Sequence, residues 1–250
     1  MSDEKIRVIV SGALGRTGSV VAEAIGQTSD MELVGGVEAP DKLSEVPGFR
    51  LFSKPSEGIA DVLVDFTQPE ASLSILEDGA SAGMGLVVGT TGFSGEQTGR
   101  IKRLSESVPI VISANMSLGV NLMLGLVHAA ATHLSGYDIE ITETHHKHKK
   151  DSPSGTAKTL FESIKCVRPE LRPVGNRSWK REPDEIGIFS LRGGEVLGEH
   201  SVFFMGEGEV LEITHRVLSR RCFARGVIAA IRFVAKANPG LYTMKEVLGL

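Results

Sequence analysis

The stretch Ile6-Arg7-Val8-Ile9-Val10-Ser11-Gly12-Ala13-Leu14-Gly15-Arg16-Thr17-Gly18 decides the first half of the fold. Its opening five residues are rich in β-branched side chains and predict a strand, and apolar residues recur at helical spacing from Gly15 until Gly26. Residues 31–37 predict a second strand, so the stretch belongs to a βαβ unit. A glycine turn between a strand and a helix lets an anion approach the helix N-terminus, although a purely structural turn explains the same glycines.

The same alternation of strand and helix continues to Asn115. Strand-like runs at residues 61–66, 85–88 and 110–113 alternate with helix-like runs at 69–82 and 95–106. Helices of this length between strands imply a parallel sheet that is covered on both faces. The sequence therefore predicts an α/β fold with a Rossmann-like, parallel-sheet domain that binds a dinucleotide.

Beyond Asn115 the pattern changes to that of an α+β domain. A long apolar helix at residues 119–134 precedes alternating runs at 138–143, 187–192, 195–205 and 209–217. Short turns at Gly193-Gly194 and Gly206-Glu207-Gly208 predict antiparallel pairing, in a mainly antiparallel or mixed sheet. A last helix at 220–236 is expected to return to the first domain. We therefore predict a dinucleotide-binding domain from residues 1–115 and 223–250, and a substrate-binding and oligomerisation domain from 116–222.

Composition excludes several classes of protein. The 250 residues carry 27 basic and 31 acidic side chains, and a net charge of −4 argues against a nucleic-acid partner. The longest nearly apolar stretch, residues 118–134, is interrupted by polar side chains and is too short for a membrane span. Two cysteines and an opening without a secretory signal predict a cytoplasmic protein.

Glu38 supports a dinucleotide site beside the glycine turn. It follows the second predicted strand by one residue and Gly18 by twenty, where a carboxylate accepts hydrogen bonds from an adenosine ribose. A solvated loop acid is the alternative. Two further strand ends, Gly89-Thr90-Thr91-Gly92 and Ser113-Ala114-Asn115-Met116, meet the same sheet edge, where ligands of open parallel sheets bind.

The second motif is Glu143-Thr144-His145-His146-Lys147-His148-Lys149-Lys150-Asp151-Ser152-Pro153-Ser154-Gly155-Thr156. A zinc site is one interpretation, but paired cysteine ligands are lacking. A nucleic-acid patch is another, without the aromatic residues such patches carry. An anion-binding catalytic site accounts for more of the residues, because histidine transfers protons near neutral pH and the helix start after Pro153 offers N–H groups to a carboxylate. A merely solvated basic loop remains possible at this point.

These motifs resemble the 4-hydroxy-tetrahydrodipicolinate reductase (dihydrodipicolinate reductase) family over nearly the whole chain. The most specific match is the run from Glu143 to Ala157, which is similar to the family signature E-x-H-H-x-x-K-x-D-x-P-S-G-T-A. The resemblance implies NAD(P)H-dependent reduction of a cyclic dicarboxylate, (2S,4S)-4-hydroxy-2,3,4,5-tetrahydrodipicolinate, to tetrahydrodipicolinate. Water is lost in this step, which belongs to the diaminopimelate route to lysine. A homotetramer without a metal ion is also implied.

The resemblance also assigns roles to residues. His145 would donate the proton, and Lys149 would be the second catalytic group. The substrate would be held by His146, Gly155 and Thr156. The residues expected to bind the cofactor are Gly12, Ala13, Leu14, Gly15, Arg16, Thr17, Glu38, Gly89, Thr90, Thr91, Ser113, Ala114, Asn115 and Met116.

Ala39 bears on the choice between NADH and NADPH. Family members that favour NADPH often place arginine directly after the acidic residue, where Ala39 stands here. Glu38 would also repel a 2′-phosphate, so we predict that NADH is used at least as well as NADPH, unless Arg16 or Lys42 compensates. Two other departures from the family pattern, Thr17 and Met116, look tolerable.

Three alternatives stay open at the level of sequence. They are another Rossmann-type oxidoreductase of a small dicarboxylate, a non-catalytic dinucleotide sensor, and a zinc hydrolase that uses the histidine cluster. A substrate panel would separate the first, the complete second motif argues against the second, and metal analysis would decide the third.

Overall fold

The structure is a computed structural model that describes residues 4–43 and 48–250. Over these ranges the chain divides into two compact units, one drawn from Met1–Leu118 and Arg220–Leu250 and the other from Gly119–Ser219. Its strands are β1 (Ile6–Ser11), β2 (Met31–Val37), β3 (Arg50–Phe52), β4 (Val62–Asp65), β5 (Gly85–Val88), β6 (Pro109–Ile112), β7 (Asp138–His145), β8 (Arg172–Val174), β9 (Glu185–Arg192), β10 (Glu199–Gly206), β11 (Glu209–Arg216) and β12 (Gly240–Tyr242). Its α-helices are α1 (Gly18–Gly26), α2 (Pro69–Ser81), α3 (Gly95–Leu104), α4 (Leu118–His133), α5 (Gly155–Lys165), α6 (Arg221–Val234) and α7 (Met244–Leu248).

The first unit contains the predicted Rossmann-like sheet. Within the described residues its strands follow the order β12-β6-β5-β4-β1-β2-β3, and each neighbouring pair is parallel. The central strands are buried on both faces because one apolar cluster, which includes residues of α1, α6 and α7, covers one side, and a second cluster with α2 and α3 residues covers the other. The α/β prediction is confirmed.

Two features of this sheet position a ligand site. The strand order reverses between β1 and β4, which opens a crevice at their carboxyl ends. α6 packs on the same sheet through an apolar stripe at Ala224, Val227 and Ile231, where the spacing of three and four residues places the side chains on one helix face. The segment after residue 220 therefore completes the core of the first unit.

The second unit contains a mixed sheet in the order β11-β10-β7-β9-β8, as predicted for the α+β domain. The pairs β10–β11 and β7–β10 are antiparallel, while β7–β9 and β8–β9 are parallel. α4 and α5 contribute to the apolar cluster of this unit. The turn at Gly206-Glu207-Gly208 joins an antiparallel pair, as expected.

The predicted hairpin at Gly193-Gly194 is wrong. β9 and β10 do not pair with each other, because β7 lies between them. Both glycines instead hydrogen-bond to the end of β7 and the loop after it: Gly193 N–H donates to the His145 carbonyl at 3.0 Å, and the Gly194 carbonyl accepts from Lys147 N–H at 3.3 Å. A glycine turn indicates a change of direction but does not select the partner strand.

Among the described residues, none of the helices combines the length and apolar character that a membrane span requires. The sequence patterns did not predict β3, β8, β12 or α7, each of which has three to five residues. Elements this short carry too few positions for a recognisable period.

Candidate functional sites

A groove of about 1050 Å³ lies at the carboxyl ends of β1 and β4 in the first unit. Its size is that of a site for a large cofactor. The predicted cofactor residues that line it are Gly12, Leu14, Gly15, Arg16, Thr17, Glu38, Gly89, Thr90 and Thr91. Nine of the residues predicted from sequence to bind the cofactor therefore line this groove.

The glycines of the β1–α1 turn are required by the turn itself. Gly12 has φ of 72°, and a Cβ atom on Gly12 would lie 2.6 Å from the Phe66 carbonyl oxygen. A Cβ on Gly18 would lie 2.0 Å from the carbonyl oxygen of Gly12. The turn can therefore fold tightly between β1 and α1 only without these side chains, which keeps its backbone at the surface of the groove.

Glu38 is tied to the glycine turn. Its Oε1 accepts a hydrogen bond from the Leu14 N–H at 2.8 Å, and both residues line the groove. The bond holds a carboxylate at the end of β2. A negative charge there suits ribose hydroxyls and disfavours an additional phosphate group.

Asp65 organises the opposite wall of the groove. It is fully buried at the end of β4, and its carboxylate accepts hydrogen bonds from the hydroxyls of Thr67 (2.7 Å), Ser72 (2.6 Å) and Thr90 (2.6 Å). The Thr90 hydroxyl also accepts the Thr67 N–H at 2.8 Å. The side chain of Thr90, which was predicted to bind the cofactor, thus braces the loop that lines the groove.

The remaining predicted cofactor residues lie elsewhere. Ala13 and Met116 are buried in the apolar core of the first unit. The Ser113 hydroxyl donates to the Asn115 carbonyl at 2.8 Å, and the Asn115 side chain accepts the Ser117 N–H at 2.9 Å. The segment 113–116 is therefore held by its own turn, and it does not belong to the lining of the 1050 Å³ groove.

The groove fits a dinucleotide. It is bounded by the glycine turn before a helix N-terminus, by an acid at the end of β2 and by a glycine–threonine loop after β5. These are the features that bind a pyrophosphate, an adenosine ribose and a second nucleoside in Rossmann-like sheets.

A second site surrounds His145 in the other unit. Glu143 and His145 lie two residues apart on β7, so both side chains are on one face, and Nδ1 of His145 lies 2.5 Å from Glu143 Oε2. Arg192, which pairs with His145 across the β7–β9 register, donates to both carboxylate oxygens of Glu143, at 2.6 and 2.9 Å. The arrangement is an arginine–glutamate–histidine chain with a buried carboxylate at its centre.

The charged groups of this arginine–glutamate–histidine arrangement determine which of its side chains carry a proton. Burial raises the pKa of the Glu143 carboxyl, but hydrogen bonds from Arg192 and His145 outweigh it and lower that pKa to about 2. Burial lowers the pKa of His145, and Glu143 opposes that effect. Glu143 is therefore ionised near neutral pH, and its Oε2 accepts a hydrogen bond from the Nδ1–H of His145. Nε2 of His145 is left to exchange a proton with a ligand.

The start of α5 adjoins this chain. The Ser154 hydroxyl caps the helix by accepting the Ala157 N–H at 3.2 Å, and the Ser154 N–H donates to Glu143 Oε1 at 3.1 Å. Gly155 and Thr156 form the first helical turn, with Gly155 exposed. The helix N-terminus predicted to receive a carboxylate is thus anchored to the same glutamate as His145.

Lys149 and His146 lie in the loop that joins β7 to α5. Lys149 Nζ forms an ion pair with Asp151 Oδ1 at 2.8 Å, which lowers the pKa of Asp151. His146 is half-buried, and its carbonyl accepts the Lys149 N–H at 3.1 Å. Among the described residues no group of three or more His, Cys, Asp or Glu side chains is placed to hold a metal ion.

The sequence patterns assigned no catalytic or binding role to four residues of these two sites, namely Asp65, Glu143, Arg192 and His200, whose ring contacts that of His145. The spacing of two residues between Glu143 and His145 on a strand was a usable signal, since it places both on one face. Arg192 and His200 approach through β9 and β10, and no local spacing in the sequence indicates that.

A dinucleotide groove on a parallel sheet and a histidine held by a buried acid define an oxidoreductase with a Rossmann-like domain. Family models for dihydrodipicolinate reductase match nearly all of the chain, the N-terminal model at residues 6–116 and the C-terminal model at residues 119–248. The chain belongs to the dihydrodipicolinate reductase family.

Individual relatives agree with this assignment. A 4-hydroxy-tetrahydrodipicolinate reductase from Methanoculleus marisnigri is 42% identical over 251 residues, covering 98% of this chain and 100% of the relative. One from Rubrobacter xylanophilus is 44% identical over 259 residues, covering 97% and 98%. A solved dihydrodipicolinate reductase from Paenisporosarcina sp. TG-14, with dipicolinate bound, superposes with a TM-score of 0.84 at 26% identity and covers 97% of this chain and 98% of that one.

Proposed function

We propose that the chain reduces (2S,4S)-4-hydroxy-2,3,4,5-tetrahydrodipicolinate to (S)-2,3,4,5-tetrahydrodipicolinate with loss of water, in the diaminopimelate route to lysine. The observation that carries the proposal is the 2.5 Å contact between Glu143 and His145 Nδ1, beside the N-terminus of α5. It joins a proton donor to a carboxylate-binding element, and this substrate requires both. The first unit is the dinucleotide-binding domain, and the second binds the substrate and mediates oligomerisation.

The residues of the second unit divide the chemistry among them. Nε2 of His145 delivers the proton, because Nδ1 is committed to Glu143. Lys149 stabilises negative charge on the reacting intermediate or protonates it, in exchange for its ion pair with Asp151. One substrate carboxylate binds at the first turn of α5, through Gly155 and Thr156, with His146 as a further contact. When bound, the nicotinamide supplies the hydride.

The decisive experiment is an assay with freshly synthesised substrate and both nicotinamide cofactors. His145→Gln and Lys149→Ala are each expected to keep NADH binding, measured by titration, and to lose turnover, because both residues lie outside the first unit. Wild-type turnover in either variant contradicts the role assigned to that residue. Turnover of a different dicarboxylate in place of this substrate contradicts the proposed reaction.

We further propose that NADH is used at least as well as NADPH. The Glu38 carboxylate stands at the groove wall, bonded to the Leu14 N–H, and Ala39 supplies no cation beside it. Arg16 and Lys42 also line the groove and are the candidates to offset this charge. A kcat/KM about tenfold higher with NADPH than with NADH contradicts the proposal.

We propose a homotetramer, which the family resemblance implies, and β11 as part of its interface. This strand ends the sheet of the second unit, and its side chains Val210 and Leu211 are 60% and 43% exposed. An edge strand with apolar side chains is suited to pair with another copy. Light scattering is expected to give four times 26.7 kDa for the wild type and a smaller mass for Val210→Lys. A monomeric or dimeric wild type contradicts the tetramer.

A cytoplasmic location is proposed from the thiols. Cys166 is exposed and Cys222 is half-buried, and both are free. A reducing compartment preserves an exposed thiol of this kind. Cell fractionation with an antibody against the chain tests the location, and recovery in a secreted fraction contradicts it.

A further inference from the structure

Four buried groups of the second unit contact one another in a closed ring. Glu143 accepts from His145 and from the Ser154 N–H, as described above. The Ser154 hydroxyl lies 2.9 Å from Nε2 of His200, and the His200 ring meets the His145 ring edge-on, with 5.1 Å between ring centroids. His200 closes this ring and has no role in the chemistry proposed above.

The hydrogen bonds of Ser154 indicate which atom donates to His200. Because the Ser154 oxygen already accepts the Ala157 N–H, its own hydrogen is available for His200 Nε2. The proton of a neutral His200 then resides on Nδ1, a buried atom for which the described residues offer no partner. The opposite tautomer, with the proton on Nε2, leaves both Nδ1 of His200 and the hydroxyl hydrogen of Ser154 without a partner. It is therefore higher in free energy.

The neutral form of His200 follows from its surroundings. The side chain is almost fully buried, directly opposite Glu143 in the β7–β10 pairing and opposite His215 in the β10–β11 pairing. Burial, together with the positive charge of a protonated His145, lowers the pKa of His200 to about 4. His200 is therefore a hydrogen-bond acceptor, not a second proton donor, near neutral pH.

We propose that His200 is a positioning residue that links His145 to the start of α5 through the Ser154 hydroxyl. This role rests on the proposed function, in which His145 and the first turn of α5 act on one substrate. The ring contact limits the tilt of the His145 imidazole, and the bond to Ser154 fixes the cap of α5. His200 thus holds His145, the proton donor, at a fixed distance from the carboxylate-binding first turn of α5.

Dipicolinate, an aromatic dicarboxylate, is the probe that tests this role. Its dissociation constant is measured by calorimetry on the NADH-bound protein, together with KM and kcat for the substrate. His200→Phe keeps a ring against His145 but removes the acceptor, so we expect dipicolinate binding to weaken about tenfold, with KM rising more than kcat falls. His200→Gln restores an acceptor near the Nε2 position and is expected to recover most of this affinity.

Two further variants separate the role from general loss of structure. Ser154→Ala removes the other half of the bond, so the double variant with His200→Phe should bind dipicolinate no more weakly than the weaker single variant. His133→Phe makes the same exchange at an exposed histidine on α4 and should leave binding unchanged. NADH affinity should be equal in all variants.

Each outcome decides the matter. Additive losses in the double variant, or full affinity in His200→Phe, overturn the role of His200 while the proposed function stands. Failure of the wild type to bind dipicolinate overturns the carboxylate site and the role together. If His200→Phe does not fold, the comparison moves to His200→Gln and Ser154→Ala, and equal losses in these two overturn the proposal.

Discussion

The carboxylate of Glu143 lies 2.5 Å from Nδ1 of His145, and both side chains are buried on one face of β7. Arg192 holds both oxygens of that carboxylate. Glu143 cannot rotate away without breaking the bonds to Arg192, so the tautomer of His145 is fixed by a residue that the substrate need not touch. The geometry resembles the carboxylate–histidine pairs that orient general acids and bases in other enzymes.

Glu143→Gln is expected to shift the pH dependence of kcat. Burial lowers the pKa of His145 and the Glu143 charge opposes this, so loss of the charge lowers that pKa further. In the proposed reaction His145 donates a proton, so activity should fall as pH rises through the pKa of His145. The falling limb should therefore move to lower pH, and kcat at pH 7 should decrease on the order of tenfold or more.

Glu140→Gln is the matched control for this measurement. Glu140 lies on the same strand, is buried and pairs with Arg177 and Arg181, away from His145. The control variant should change the stability of the protein without shifting the falling limb of kcat against pH. An unmoved limb in Glu143→Gln contradicts the assigned role of the carboxylate.

Replacement of His200 is expected to change the pH dependence of stability. The folded protein holds His200 at a pKa of about 4, while the ordinary value of 6.5 applies in the unfolded chain. Between these values the unfolded state binds the extra proton, so this group's contribution to stability is full above pH 6.5 and is lost as pH falls toward 4. The loss amounts to up to about 1.4 kcal/mol per pH unit.

Urea unfolding at pH values across that window provides the test. The free energy of unfolding of His200→Gln should fall less steeply with decreasing pH than that of the wild type. His145 and His215, whose pKa values are also lowered by burial, titrate in both proteins, so the difference between the two curves reports the replacement of His200 and its coupling to them. Parallel curves for the two proteins contradict this prediction.

Asp65→Ala is expected to loosen the groove wall of the first unit. Three hydroxyls, those of Thr67, Ser72 and Thr90, lose their acceptor, and two of them are buried. We expect a loss of about 3 kcal/mol in unfolding free energy and a raised KM for NADH. Ser72→Ala removes a single bond and should cost about 1 kcal/mol, with KM nearly unchanged. Equal NADH affinity in Asp65→Ala and wild type contradicts a role in the cofactor wall.

Ala39→Arg is expected to improve the use of NADPH. The new guanidinium would stand beside Glu38 at the groove, where it offsets the carboxylate and can bind a 2′-phosphate. We expect kcat/KM for NADPH to rise about tenfold while that for NADH changes less. Lys42→Ala checks the native cation, and a selective loss of NADPH activity there would identify Lys42 as the compensating charge.

Most strands and helices of the first unit could be predicted because the sequence patterns that indicate them lie within short segments of the chain. β2 and β5 begin and end at the predicted residues, and the strand order that opens the groove follows from a βαβ beginning. Gly35 and Gly36 are different, since their sequence context gave no reason for two glycines inside a strand. In the structure a Cβ on Gly35 would lie 2.4 Å from the Arg50 carbonyl oxygen, so the close approach of β3 requires the glycine.

The second unit was predictable in its elements but not in its pairing. The turn at Gly193-Gly194 was assigned to a hairpin, yet β7 lies between β9 and β10. Partner choice depends on which strands bury the apolar face that α4 and α5 cover, and these contacts span many residues of sequence. The same limit applies to Arg192 and His200, which reach Glu143, His145 and Ser154 from other strands.

The class of fold, the glycine turn, the acid after β2 and the motif that carries His145 and Lys149 can be predicted from sequence, because each depends on residues close together in the chain. Tertiary structure decided the environment of these residues. Only the pairing of β7 with β9 and β10 brings Arg192 and His200 to the motif. The hydrogen bonds that Glu143 receives there lower its pKa to about 2 against the effect of burial, whereas burial itself lowers the pKa of His200 to about 4. The desolvation and charge that set proton affinity come from neighbours in space, which the order of residues does not specify.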